Sequence, residues 1–259
     1  MVFLPLPAGT AQLAKSLALA LAVWSPPAAA PAPAPGQQEV NESGPLDTPT
    51  NAAQTPAVTY AGFGGAACLS ELARRGIGFT RVNEARGVLA PVRLTAALHG
   101  VSYHSGLAPK QRATSPYEIL DCRLVLALDD FSAILAKHDV VEVVHMSAYR
   151  PPPQRKWAAG QVGQRHDGGL AIDAGSFVRR DGTTFDVERD FHGRIGSKTC
   201  GPNTGPSPAT PAALALRAIV CEAADAHLFN VALTPDYNWQ HRNHLHLEIT
   251  ARVKWFLVH

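Results

Sequence analysis

Apolar positions in this chain switch between a helical and an alternating period, and the switch points outline the elements. From Ala66 to Arg75, Cys68, Leu69 and Leu72 fall on one side of a helix that Gly76 ends. Val88 to Leu94 reads as a short strand interrupted by Pro91. Leu124, Leu126, Leu128, Phe131, Ile134 and Leu135 form the apolar stripe of a longer helix over Asp121 to Lys137. Val140 to Met146 is a β-branched run and predicts a strand. Leu170 to Ser176 and Thr183 to Val187 predict two strands joined by a turn at Asp181-Gly182. Thr210 caps a helix with Pro211 at its first position, running to about His227. Val231 to Thr234 and His244 to Ile249 complete the strands. Helices and strands mix without regular alternation, which predicts an α+β domain: a small antiparallel sheet flanked by helices.

Ahead of residue 60 the pattern changes. Lys15 precedes the apolar stretch Ser16 to Trp24, and small residues follow in Pro26-Pro27-Ala28-Ala29-Ala30. A basic flank, a short apolar core and a small-residue zone predict a secretion signal over residues 1–30. The first cysteine is Cys68, so a lipid-modified cysteine near the cleavage zone is not expected. Residues 31–59 are rich in Pro, Ala, Thr and Gln with few large apolar side chains, which predicts a disordered tether. The folded domain is then residues 60–259. No apolar run reaches the roughly 20 residues that cross a bilayer, so the mature chain is expected to have no transmembrane span. A formal net charge of +2 over 259 residues gives no reason to expect a nucleic-acid partner. The expectation is an exported monomer in the periplasm or cell envelope.

Cys68, Cys122, Cys200 and Cys221 are even in number and contain no CxxC pair. In an exported protein two disulfides are the simplest reading, Cys68–Cys122 and Cys200–Cys221 by order, although the sequence alone permits three connectivities.

Most of the 11 histidines need no special chemistry. His99, His104, His138, His192 and His259 sit among loop signals or at ends, His145 lies in a predicted strand, and His227 falls at a helix C-terminus, where a donor serves exposed carbonyls. Two segments differ. In Arg165-His166-Asp167-Gly168-Gly169-Leu170-Ala171-Ile172-Asp173 a histidine in a glycine turn precedes an acid set in an apolar strand. That acid is costly to bury without a positive partner, which a hydrogen-bonded imidazole or a metal would supply. In Asp236 to Ile249, strand periodicity puts His244, His246 and Glu248 on one face and Leu245, Leu247 and Ile249 on the core face.

Together the segments follow H-x-x-G-x-A-x-D and, much later, H-x-H. This resembles the zinc peptidase group of D-Ala-D-Ala carboxypeptidases, penicillin-insensitive murein endopeptidases and the hedgehog signalling domain. The order P-D-Y-N-x-x-H-x-x-H-x-H from Pro235 to His246 resembles more specifically the extensin-like C-terminal domain family. Cys68-Leu69 with Gly76 and Phe79, and Ser147-Ala148-Tyr149-Arg150 ahead of the first motif, add to the likeness, which covers about Tyr60 to Ile249. The resemblance implies a hedgehog/DD-peptidase-like zinc fold with Zn2+ held by His166, Asp173 and His246 and a fourth position open to water. It implies His244 as general base or proton shuttle and His241 as orienting water or substrate. Arg150 would pair with a substrate carboxylate or a developing oxyanion. The expected function is a zinc peptidase or amidase, of murein endopeptidase or carboxypeptidase type, acting on peptidoglycan peptides. The alternative on the same residues is a non-catalytic zinc-containing module of the cell envelope. Three positions depart from the family pattern: Gln164 stands where a Ser is usual, the segment before Arg150 lacks a Cys, and none stands near Gly87.

Overall fold

The computed structural model describes residues 47–153, 157–158 and 160–259. The secretion signal and residues 31–46 of the expected tether lie outside them. Residues 47–59 do not: order begins well before Tyr60. Asp47 exchanges backbone hydrogen bonds with Phe256, Ala52–Gln54 form a 3-10 turn, and α1 (Pro56–Ala61) follows with Pro56 at its first position. Ala52, Ala57 and Ala61 are buried, so small side chains let this segment lie close against the domain. The proline and alanine content that suggested a tether here serves a helix start and a tight contact.

After α2 (Gly65–Arg74), β1 (Phe79–Arg81) and β2 (Pro91–Leu94) pair antiparallel. Pro91 starts its strand, where a missing N–H costs no ladder bond. β3 (Ser102–Ser105), a short α3 (Pro109–Arg112) and β4 (Leu120–Asp121) lead into α4 (Cys122–Lys137). Asp121 caps α4, accepting from Arg123 N. Apolar side chains cover α4 almost all round, and it is accordingly the buried helix of the domain. β5 (Val140–His145), β6 (Ala171–Arg179), β7 (Thr184–Asp186), a short α5 (Val187–Asp190), α6 (Pro211–Asp225), β8 (Val231–Leu233), β9 (Leu245–Glu248) and β10 (Leu257–Val258) complete the chain. Thr210 caps α6 through Ala213 N, as expected.

β1, β2 and β4 form one small sheet. The main sheet runs β10-β8-β9-β6-β5-β3, with β7 also paired to β6. β6 is its axis: Ala171–Ala174 pair with β9 and Ser176–Val178 with β7 along one edge, while β5 occupies the other edge. The Asp181-Gly182 turn joins β6 to β7, with Gly182 at φ 83°. The sheet is mixed rather than wholly antiparallel, because β3–β5 and β8–β10 are parallel pairs. A parallel pair needs a long crossover, and the segment from β3 to β5 supplies it with α4.

Val143, Ile172, Phe177, Ala232, Leu245 and Leu247 of the sheet join Phe131 and Leu135 of α4 and Leu216, Ile219 and Val220 of α6 in one buried cluster. Strand alternation turns Asp173 and His246 away from it. Both predicted disulfides are present: Cys68–Cys122 ties α2 to the start of α4, and Cys200–Cys221 ties a loop to α6. Among the described residues, no helix is long and apolar enough to cross a membrane.

Candidate metal centre

Asp173 lies on the axial strand, 1% exposed, directly opposite His246 on β9. Its neighbour in sequence Ile172 pairs with Leu247 on the core side, so strand alternation alone puts the carboxylate and the imidazole on one face. His166 reaches them from a 3-10 turn, Arg165–Gly168, that precedes β6. The turn requires its glycines. A Cβ on Gly168 would lie 2.5 Å from Gly163 O, and Gly169 adopts φ 64° to send the chain into the strand. This is the fold-back expected of the two glycines.

The contacts are specific by atom. Asp173 Oδ1 lies 3.1 Å from His166 Nε2, 3.0 Å from His246 Nδ1 and 3.4 Å from His244 Nε2. Its Oδ2 accepts from Ser147 Oγ at 3.0 Å and from Arg150, whose Nε donates to Ser147 Oγ. The far nitrogens of the two facing imidazoles are also held. His166 Nδ1 donates to Ala148 O at 2.7 Å, and His246 Nε2 lies 3.0 Å from Glu248 Oε2. Thr250 Oγ1 and Arg165 approach Glu248 in turn. His166, His244, His246 and Arg150 thus meet at Asp173, and His241 stands beside them, ring centroids 5.2 Å from His244 and 5.8 Å from His246. Arg150, expected to meet substrate, is bonded to Asp173, where it orients the carboxylate.

Burial would weaken the charged forms here, but the pairing outweighs it. Burial pushes Asp173 up, yet hydrogen bonds from His166 and His246 hold it well below the usual carboxylate range. Burial likewise pulls His246 down, while Asp173 and Glu248 raise it to about 9. For His244 and His241 burial prevails and lowers them to about 4 and about 3, so both are neutral near pH 7. His244 Nδ1 faces Asn243 Oδ1 at 2.9 Å, and His241 Nδ1 faces Asn238 Oδ1 at 2.8 Å. Each amide oxygen takes the Nδ1 proton, leaving the Nε2 lone pair of either ring free for chemistry.

The donor set fits a divalent cation. A carbonyl can only accept, so His166 carries its proton on Nδ1 and turns its Nε2 lone pair toward a carboxylate oxygen. His246 stands between two carboxylates and, raised to about 9, carries a proton on both nitrogens near pH 7. A divalent cation would take the place of the Nδ1 proton facing Asp173, with Nε2–H still donated to Glu248. The three ligand atoms lie within 4.8 Å of one another. Two spacings of 3.0 and 3.1 Å come close to the roughly 3.3–3.5 Å edge expected for donors about 2.0–2.2 Å from zinc. Ala148 O and Glu248 act on the imidazoles as metal sites require, fixing tautomer and ring orientation.

Reasoning from sequence placed Glu248 on this face but gave it no role. The signal was present, since residue i+2 on a strand is a neighbour on the same face. Ser147 was noted only as part of a motif, and the Ala148 carbonyl has no sequence signature at all. His145 lies in β5, the predicted strand, and is buried, but its Nδ1 has no hydrogen-bond partner among the described residues. His104, read among loop signals, lies on β3 with its Nε2 3.2 Å from Glu142.

The profile of the family described as extensin-like protein C-terminus matches residues 66–258. No curated protein and no solved structure matches the chain.

Proposed function

Since the chain belongs to the family of the extensin-like protein C-terminus, we propose that it is an exported zinc-dependent hydrolase of peptide or amide bonds in peptidoglycan, built on the scaffold of the D-Ala-D-Ala carboxypeptidases, murein endopeptidases and hedgehog domain. One observation carries the reading: His166 Nε2 and His246 Nδ1 both aim at Asp173 Oδ1, with their other nitrogens already committed. Two disulfides suit an oxidising compartment and support export.

His166, Asp173 and His246 would hold Zn2+, which when bound acidifies a water and polarises a carbonyl. The protein's own part is proton handling and positioning. His244, neutral and with Nε2 turned to the centre, accepts the proton of the attacking water and returns it to the leaving amine. His241, with ring centroids 5.2 Å from His244 and 5.8 Å from His246, forms the adjoining wall and orients water or substrate through Nε2. Arg150 and Ser147 fix Asp173 Oδ2, leaving Oδ1 as the ligand atom. In many members of the zinc peptidase group that the chain resembles, a Glu stands three positions before the last ligand; that position here is Asn243, and the proton would fall to His244.

The test combines zinc content with turnover of purified muropeptides by the mature chain. About one zinc per chain and hydrolysis, both lost in His166→Ala and His246→Ala, are expected. Undiminished turnover in those variants overturns the proposal. Zinc binding with no cleavage across varied muropeptides leaves the metal centre standing and assigns the chain to the non-catalytic alternative.

A further inference from the structure

A groove of about 320 Å3 opens beside the centre, lined among others by Tyr117, His145, Met146, Asp186, Glu188 and Asn243. It is built into the same framework. Met146 N donates to Asp173 O at 2.8 Å, and Asn243 Oδ1 holds His244. Anything lying along the groove therefore leads toward the metal ligands.

Its lining has a definite chemistry. Leu107, Tyr117, Val144 and Met146 give it an apolar wall, and Tyr117 and Met146 are exposed, at 38% and 45%. Carboxylates come from Asp186 and Glu188, and no Lys or Arg is among the described lining residues. Asp186 uses Oδ1 to cap α5 through Arg189 N, and Glu188 lies 3.5 Å from Arg242 in an exposed pair of little strength. Val144, Ser176 and Asp186 stand opposite one another across β5, β6 and β7, so Asp186 lies two strands from the residue preceding His145.

An independent observation marks the groove as built for a ligand. His145 lines it at 3% exposure, and its Nδ1 has no hydrogen-bond partner among the described residues. Its Nε2 lies 3.8 Å from Glu118. Buried polar atoms are rarely left without a partner, because each one costs stability. Nδ1 is itself covered, so a polar group in the groove would reach it only on rotation of the ring.

We propose that this groove receives a substrate side chain with an aliphatic stem and a primary ammonium end: the stem lies on Tyr117 and Met146, and the ammonium faces Asp186 and Glu188. The groove would thus select peptides carrying a free amine near the bond presented to the metal centre. The selection deepens the hydrolase reading and rests on it for the route of the scissile bond, while binding can be read without turnover.

The experiment uses the zinc-loaded mature chain and two tripeptides, one with a central lysine and one with that lysine Nε-acetylated. The 13C-methyl resonance of Met146 reports binding, and product formation reports cleavage. Roughly tenfold weaker binding of the acetylated peptide is expected, as for loss of one charge-assisted hydrogen bond. In an Asp186→Asn/Glu188→Gln variant the two peptides should bind alike, with zinc content unchanged. Asn keeps the cap on α5, so this variant tests charge rather than folding. Equal binding of both peptides to the unaltered chain overturns the groove proposal whether or not either is cut. Amine-dependent binding without cleavage of any peptide or muropeptide upholds the groove and removes the hydrolase reading.

Discussion

On both His166 and His246 one ring nitrogen faces Asp173 and the other a separate acceptor, and that division lets single substitutions separate binding from chemistry. Glu248→Gln keeps shape and burial but offers a neutral partner to His246, so metal affinity should fall about 10–100-fold with folding intact. Competition against a chelator of known affinity would measure it, and an unchanged constant would remove Glu248 from the site. His244→Gln should leave zinc content intact and lower kcat by about 10²–10⁴-fold, as for loss of a general base. Loss of zinc in that variant would make His244 a ligand instead. His166, Asp173 and His246 were singled out through the likeness of their two motifs to the zinc peptidase group, and the fold brings the three together on a turn and two strands. The Ala148 carbonyl and the capture of Arg150 by Asp173 were not, since a backbone acceptor leaves no mark and a long side chain reaches several partners. His145 gives a pH signature of its own. Burial lowers it to about 4 in the fold, despite nearby Glu118, and an unfolded histidine titrates near 6.5. Between those values the unfolded chain binds the extra proton. Stability present above about pH 6.5 is therefore lost as pH falls toward 4, by up to about 1.4 kcal/mol per pH unit. Urea unfolding of the protein and of His145→Gln across pH 4–7 should show a shallower slope in the variant; parallel slopes would show that His145 does not titrate this way.

A buried ion pair holds the loop that leads into the candidate site. The loop after β8 contains Asp236, fully buried, which accepts from Arg194 N at 2.7 Å and Thr199 Oγ1 at 3.0 Å and pairs with Arg217 of α6 at 3.0 Å. This anchors the stretch that continues through Asn238 to His241 and His244. Asp236→Ala would strand the Arg217 guanidinium in the interior, which costs about 3–5 kcal/mol. Urea denaturation should register that loss, with turnover falling as well because His241 and His244 lose their footing. A loss under 1 kcal/mol would show that the loop is held by its neighbours instead. At this scale the long elements were legible, and of the short ones β2, β7, β8 and β9 but not β1, β3 and β10. α4 and α6 have stripes or caps that identify them, whereas strands of four residues or fewer are too short for a period to register and show only where an apolar run or a turn marks them. Parallel pairing of β3 with β5 depends on segments distant in sequence, so local pattern could not distinguish it from an antiparallel neighbour.

Across the described residues, a few well-placed ties join segments far apart in sequence. Asp47 pairs with Phe256, bringing the start of the described domain beside its end, an association that a proline- and alanine-rich composition concealed. The disulfides do comparable work between segments, and of the three connectivities the sequence permits the one in sequence order is present. Their weights should differ. The Cys68–Cys122 bond closes 54 residues and the Cys200–Cys221 bond 21, so in the chain-entropy account they contribute about 4 and about 3 kcal/mol. The first also bears on the metal centre. Asp121 N, next to Cys122, donates to Gly169 O at 2.9 Å, the glycine that directs the His166 turn into β6. Replacing Cys68 and Cys122 by alanine should therefore cost more stability than replacing Cys200 and Cys221, and should alone weaken zinc binding. Unfolding must be measured in chelator, because bound metal adds its own stabilisation to whichever variant retains it. The reverse order of stabilities would mean that strain or residual structure in the unfolded chain outweighs loop length. Equal zinc affinity in both variants would show that the Gly169 contact survives without the bond beside it.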